Sequence, residues 1–169
     1  MTSKMAFMTT ILAGCLALNA GIARAAISDA DKAFLDAMAS SDTAEIELSR
    51  LALTHNLSSQ VRDFAQTIAA DHDENYQALL DLCREKEYAV APRIDATRGE
   101  VMRKLRSADS PAAAERAYLD AIGTDQAAID SLLEQIAGNS NDGEISRFAA
   151  DTLAAVKNHE DSARKLASK

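Results

Sequence analysis

The sequence predicts an all-α protein: a four-helix bundle in which a long crossover, carrying a short helix, joins the second long helix to the third. Three observations point there. Only two prolines, six glycines and 4% aromatic residues stand against 47% hydrophobic residues in 169, a composition that favours helices over sandwiches or barrels. Apolar residues recur at steps of three and four along four long runs. Three connections are marked by turn and capping residues, and one of them is far longer than antiparallel neighbours need.

Ser28-Asp29-Ala30-Asp31 reads as a capping box, and Phe34, Met38, Ser41, Glu45, Leu48, Ala52 and His55 then step along one face, giving a first helix from Asp31 to His55 about 37 Å long at 1.5 Å per residue. Asn56-Leu57-Ser58 is a short turn with Ser58 placed as N-cap, so the second helix returns antiparallel to the first. Val61, Phe64, Ala65, Ile68, Tyr76, Leu79 and Cys83 form its inner stripe, and His72 occupies a slot in that stripe where an apolar residue is expected. The helix ends near Lys86 or Glu87. Tyr88 to Pro92 reads as extended chain, because residues preceding proline avoid the helical region. Thr97 to Ser107 forms a short helix with Val101, Met102 and Leu105 inward. Ser110-Pro111 opens the third long helix as N-cap and first helical residue, with Tyr118, Ile122, Gln126, Ile129, Leu133 and Ile136 inward. Gly138 to Asn141 turns the chain. Asn141 with Glu144 opens the fourth helix, whose inner face is Ile145, Phe148, Ala149, Thr152, Val156, His159, Ala163 and Leu166.

Residues 1–25 read as a cleaved secretory signal peptide: Lys4, an uncharged apolar segment from Met5 to Ile22, and Ala23-Arg24-Ala25 as an A-x-A cleavage site. That leaves 26–169 as one bundle domain in the periplasm or secreted. Leu12-Ala13-Gly14-Cys15 resembles a lipobox and supports an alternative, a lipoprotein anchored at Cys15. The whole chain carries 18 basic and 26 acidic side chains. Removal of Lys4 and Arg24 takes the basic count to 16 and the net charge from -8 to -10. With no basic cluster, nucleic acid is excluded as a partner class. No apolar run after the leader approaches the ~20 residues of a transmembrane span. Cys83 alone survives cleavage, on an apolar stripe, and reads as a buried inert thiol.

Each long helix thus carries one polar group on its buried face: Glu45, His72, Gln126 and His159. Counted from the connections, Glu45 and His72 lie within about 4.5 Å in depth and Gln126 and His159 within about 7 Å. All four therefore converge near mid-bundle. Two imidazoles and a carboxylate suit one transition-metal ion, with Glu45, His72 and His159 as ligands and Gln126 as a weak further one. A di-iron centre is not expected, since the glutamate it needs three residues before each histidine is replaced by Ala69 and Val156. The same residues can equally form a satisfied polar core in which Glu45 pairs with a histidine and no metal takes part. The acids beside the histidines, Asp71, Asp73, Glu74, Glu160 and Asp161, are expected to point sideways into solvent.

Ala44 to Ala52, Val61 to Ala65 leading to Ala70-Asp71-His72, Ala117 to Asp120, and Phe148-Ala149 leading to His159 resemble the exported ferritin-like family catalogued as domain of unknown function four-one-four-two. The resemblance covers about Asp29 to Leu166. It implies a ferritin-like bundle in a bacterial envelope with histidines on the second, third and fourth helices; where the family usually shows an aspartate-histidine pair, this chain has Asp125-Gln126. Two functions follow as expectations. One is a non-enzymatic envelope stress or interaction protein, partnered by another envelope protein or by itself. The other is a mononuclear metal-binding protein using the inward histidines and glutamate.

Overall fold

A computed structural model describes residues 27–169; the expected signal peptide and the Cys15 lipobox lie outside the described residues. Five helices follow one another: α1 Asp29–Ala52, α2 Ser59–Glu85, α3 Ala96–Arg106, α4 Pro111–Asn139 and α5 Gly143–Ala167. Among the described residues no helix is long and apolar enough to cross a membrane.

The caps explain most of the boundaries. Ser28 Oγ accepts from the Asp31 N–H while Asp31 reaches back to the Ser28 N–H, the reciprocal box the sequence predicts. Ser110 caps α4 ahead of Pro111 as expected. Two boundaries differ from the sequence reading. Helix α1 stops at Ala52 because Thr54 Oγ1 and the Thr54 N–H both bond the Leu51 carbonyl, tightening the last turn and leaving His55 in the connection. The α5 cap is Asp142, not Asn141, since the Asp142 carboxylate accepts from both Glu144 and Ile145 N–H groups. Ser58 stands at the N-cap of α2, but its side chain makes no capping bond.

The C-terminus of α2 closes as a Schellman motif: Tyr88 N–H donates to the Cys83 carbonyl at 2.9 Å and Glu87 N–H to the Arg84 carbonyl at 3.1 Å. Glu87 takes the left-handed position with φ 54°, a conformation glycine adopts without the Cβ clash. Glu87→Gly is expected to raise stability by about 1 kcal/mol, read as a higher denaturation midpoint with unchanged m-value; a lower midpoint would refute the assignment of strain here.

Helix directions follow from the bonds between them. Asp31 meets Ser140, Ser41 meets Asp125 and Ser49 meets Tyr118, so α1 and α4 are antiparallel. Asp71 meets His159 and Asn75 meets Thr152, so α2 and α5 are antiparallel too. Because α1–α2 and α4–α5 are joined by short turns, α2 and α4 run in the same direction, and the chain must travel the length of the bundle between them. It does so along α1. Tyr88 Oη donates to Asp36 at 2.9 Å and the Arg93 N–H to Ser40 Oγ at 3.1 Å, after which α3 lies across α1 and α4. This is the ferritin-like arrangement with one crossover that the sequence predicts.

The core is not continuous. One apolar cluster, including Leu48, Val61, Phe64, Ile68, Leu105, Tyr118 and Ile122, fills the end near the α1–α2 turn. A second, including Phe34, Leu35, Met38, Leu79, Leu133, Ile145 and Val156, fills the other. Cys83 sits in the second, and burial pushes its thiol up to about 11, as befits an inert packing residue. The polar residues lie between the two clusters. That layer also divides the charge. The segments on the α1–α2-turn side of it, residues 46–71, 99–125 and 160–169, hold nine Lys and Arg against ten Asp and Glu, whereas the opposite half of the described chain holds seven against sixteen.

Candidate functional site

The polar layer is built from all four long helices. Asp42 and Glu45, one turn apart on α1, face His72 on α2. The His72 Nδ1–H donates to Asp42 Oδ1 at 2.8 Å, and Nε2 lies 3.0 Å from Glu45 Oε2. Gln126 on α4 donates through Nε2 to the same Glu45 oxygen at 2.7 Å. On the far side, Asn75 Nδ2 donates to Asp42 Oδ2 at 2.9 Å, and Thr152 Oγ1 on α5 donates to Asn75 Oδ1 at 2.9 Å. A single chain of hydrogen bonds thus runs from α5 through α2 and α1 to α4.

This layer is dry. Glu45 is 2% exposed, His72 5%, and Asp42 and Gln126 fully buried. Burial by itself would lower the His72 pKa. The charge of Glu45, the hydrogen bonds to Asp42 and Glu45 and the charge of Asp42 outweigh it and raise the imidazole to about 10. That shift favours the imidazolium at neutral pH, with Nδ1 directed at Asp42 Oδ1 and Nε2 at Glu45 Oε2; the Gln126 amide nitrogen stands 2.9 Å from the same Nε2. Burial also raises Asp42 and Glu45, an effect His72 opposes. Loss of hydration outweighs the attraction of His72, and the charge of Asp125 adds to it, so both acids hold protons more tightly than exposed carboxylates do.

The four inward residues expected from the sequence do meet at one depth, though unequally. Glu45, His72 and Gln126 lie within 3.0 Å of one another. The His159 ring is 5.5 Å from that of His72, but its Nε2 is turned outward to Asp71 Oδ2 at 2.9 Å. Asp71 is thus not the free solvent-facing acid expected from its sequence position: the crossing of α2 and α5 brings it over His159. Burial lowers the His159 pKa, the hydrogen bond to Asp71 opposes that, and the charge of His72 lowers it further. His159 is accordingly neutral, with its proton on Nε2, and Nδ1 is buried without a hydrogen-bond partner. Among the described residues no three His, Cys, Asp or Glu side chains stand grouped to hold a metal ion.

Sequence reasoning missed Asp42 and Asn75. Both carry usable signals: Asp42 lies four residues after Met38 and three before Glu45, and Asn75 lies three after His72. The Asp125-Gln126 pair divides its work. Gln126 points into the layer, while Asp125 accepts from Ser41 Oγ at 2.6 Å and from Arg98 Nη2 at 2.7 Å, fastening α3 to the bundle. Tyr118 is fully buried with its hydroxyl paired to Ser49 Oγ at 2.9 Å, a core residue as expected.

This fold and this layer define a ferritin-like helical bundle with a buried, hydrogen-bonded polar centre. The family model described as Domain of unknown function (DUF4142) matches residues 17–166, and the chain belongs to that family. The crystal structure of a DUF305 fragment from Deinococcus radiodurans superposes with a TM-score of 0.76, covering 85% of this chain and 99% of that chain. The two are 11% identical in sequence, so the likeness is one of fold alone. No curated protein matches.

Proposed function

We propose that the protein is a periplasmic, non-enzymatic bundle of the cell envelope, a stress or interaction module whose polar centre locks the helices together and performs no chemistry. The observation that carries this reading is the commitment of His72. Both ring nitrogens face carboxylates within 3.0 Å, so the protonated imidazole has no lone pair with which to act as base, nucleophile or ligand. The apolar leader and cleavage motif at residues 1–25 support the location. The test is the metal content of protein purified from its native compartment, together with His72 nitrogen shifts at pH 8. Imidazolium shifts and only trace metal are expected. Stoichiometric metal that disappears in the His72→Ala, His159→Ala double variant would overturn the reading.

One observation favours a second reading, a mononuclear metal site. Glu45 Oε1, Gln126 Oε1 and His159 Nδ1 are all buried without hydrogen-bond partners and come from three different helices. All three are lone-pair donors of the kind a transition-metal ion takes. His72 would join them only by giving up its proton, and binding would then tighten as pH rises. Metal uptake that increases steeply between pH 7 and 9 would distinguish this reading from the first.

A further inference from the structure

We propose that α3 is a lid: its N-terminal half unfastens from the bundle and opens about Leu105, uncovering the cleft between α1 and α4 while the four long helices stay folded. The helix is anchored by apolar contact at one end. Leu105 is its one buried residue and packs into the cluster at the α1–α2-turn end, with Val101 and Met102 only partly buried beside it. Each long helix buries six residues or more. Local stability follows buried apolar contact, so α3 is the helix that opens first. The packing beneath it is also incomplete. A cavity of about 210 Å³ lies among Val101 and Met102 on α3, Ala44 and Leu48 on α1, and Ala117 and Ala121 on α4.

The other end is held by a polar latch. Arg98 donates through Nε at 3.1 Å and Nη2 at 2.7 Å to Asp125 Oδ1 on α4, and Asp125 Oδ2 accepts from Ser41 Oγ on α1 at 2.6 Å. Arg98 and Asp125 are 22% and 21% exposed, which leaves the latch within reach of water and salt. Upstream of it residues 91–97 are all exposed, Ile94 included, so the strap leading into α3 has no apolar anchor of its own. The sequence weakens the helix at the same place. Gly99 takes the first helical hydrogen bond, to the Asp95 carbonyl at 2.9 Å, at a position where glycine loses more backbone freedom than any other residue. A Cβ there would meet Arg103 Nη1 at an ordinary 3.8 Å, so packing does not call for glycine. Eleven residues is also shorter than the roughly 12–15 that an isolated helix needs in water. Once the latch parts, little keeps α3 helical as far as Leu105.

Native-state hydrogen exchange of the full chain in increasing urea tests the lid. Amides of residues 99–104 are expected to exchange about a hundredfold or more faster than the slowest amides of α1 and α4, with a urea slope above zero but below the global one, since opening bares the cleft and not the core. Arg98→Ala should speed them about tenfold. Gly99→Ala should slow them about threefold. Val156→Ala, buried in the far cluster, should speed the slowest amides of the long helices about tenfold or more and leave 99–104 unchanged. Equal acceleration of 99–104 by Val156→Ala would mean that α3 opens only when the whole bundle unfolds. A zero urea slope would mean fraying that uncovers nothing. Either result, or no response to Arg98→Ala, overturns the proposal. None of these measurements depends on the charge of His72 or on metal content, so the lid can fail while the proposed function stands, and the reverse.

Discussion

Replacing His72 by alanine is expected to cost about 3 to 5 kcal/mol of stability, the range for removing one partner of a buried ion pair. The loss arises less from the imidazole's own contacts than from what it leaves behind. Asp42 and Glu45 stand one helical turn apart in a site buried from water, and among the described residues His72 is the only cation within hydrogen-bond distance of either. Without it one or both acids must take up a proton or draw in water, and either change opens the seam between the two apolar clusters. Glu45→Gln is expected to be far milder. It keeps the shape, retains an acceptor for the His72 Nε2–H, and removes the surplus negative charge. Equilibrium denaturation at pH 7 measures both. A loss below about 1 kcal/mol for His72→Ala, the size of an exposed pair, would show that the layer contributes little to holding the helices.

The second large effect is on pH dependence. Stability is expected to decline from near neutrality into the alkaline range, and the sign follows from the direction of the shifts. His72 titrates near 6.5 when unfolded and at about 10 when folded, so the native state holds a proton that the unfolded chain releases. Its contribution is fully present below pH 6.5 and is lost as pH rises through about 10, with a limiting slope of about 1.4 kcal/mol per pH unit. Asp42 and Glu45, also raised, act in the same direction from their ordinary values upward. His159, lowered by burial, acts oppositely and costs stability only as pH falls below 6.5. Denaturation midpoints between pH 6 and 10 test this, with His72→Gln as reference: the wild-type slope should exceed that of the variant throughout. Parallel profiles would mean that His72 is not an imidazolium in the folded protein.

Much of this architecture is legible in the sequence because helical periodicity and capping are local. Ser28, Ser110 and Pro111 mark starts that the structure keeps, and the stripes carrying Glu45, His72, Gln126 and His159 point inward as expected. What escapes is set by rotation between helices. Asp42 flanks the stripe that Ser41 and Glu45 define, and periodicity alone does not separate the edge of a buried face from a solvated flank; the packing of α2 decides it. Asp71 is similar, half exposed on its own helix yet joined to His159 by the approach of α5. The cleft of about 210 Å³ beneath α3, lined by Ala44, Ala117 and Ala121, is less legible still. Its alanines read as ordinary core positions, and only the path of α3 across them turns small side chains into empty space.

The polar layer also separates two electrically unlike halves. Among the described residues one is nearly neutral and the other carries an excess of nine acids over basic residues, so this bundle has a large dipole along its long axis. An anionic surface repels one end and scarcely acts on the other. Within a Debye length of such a surface, about 8 Å at physiological salt, the repulsion is weakest for an approach with the α1–α2 turn foremost, and this bias fades as ionic strength rises. The turn at Asn56, the C-terminal end of α3 and the end of α5 are therefore the parts first presented to any negatively charged neighbour.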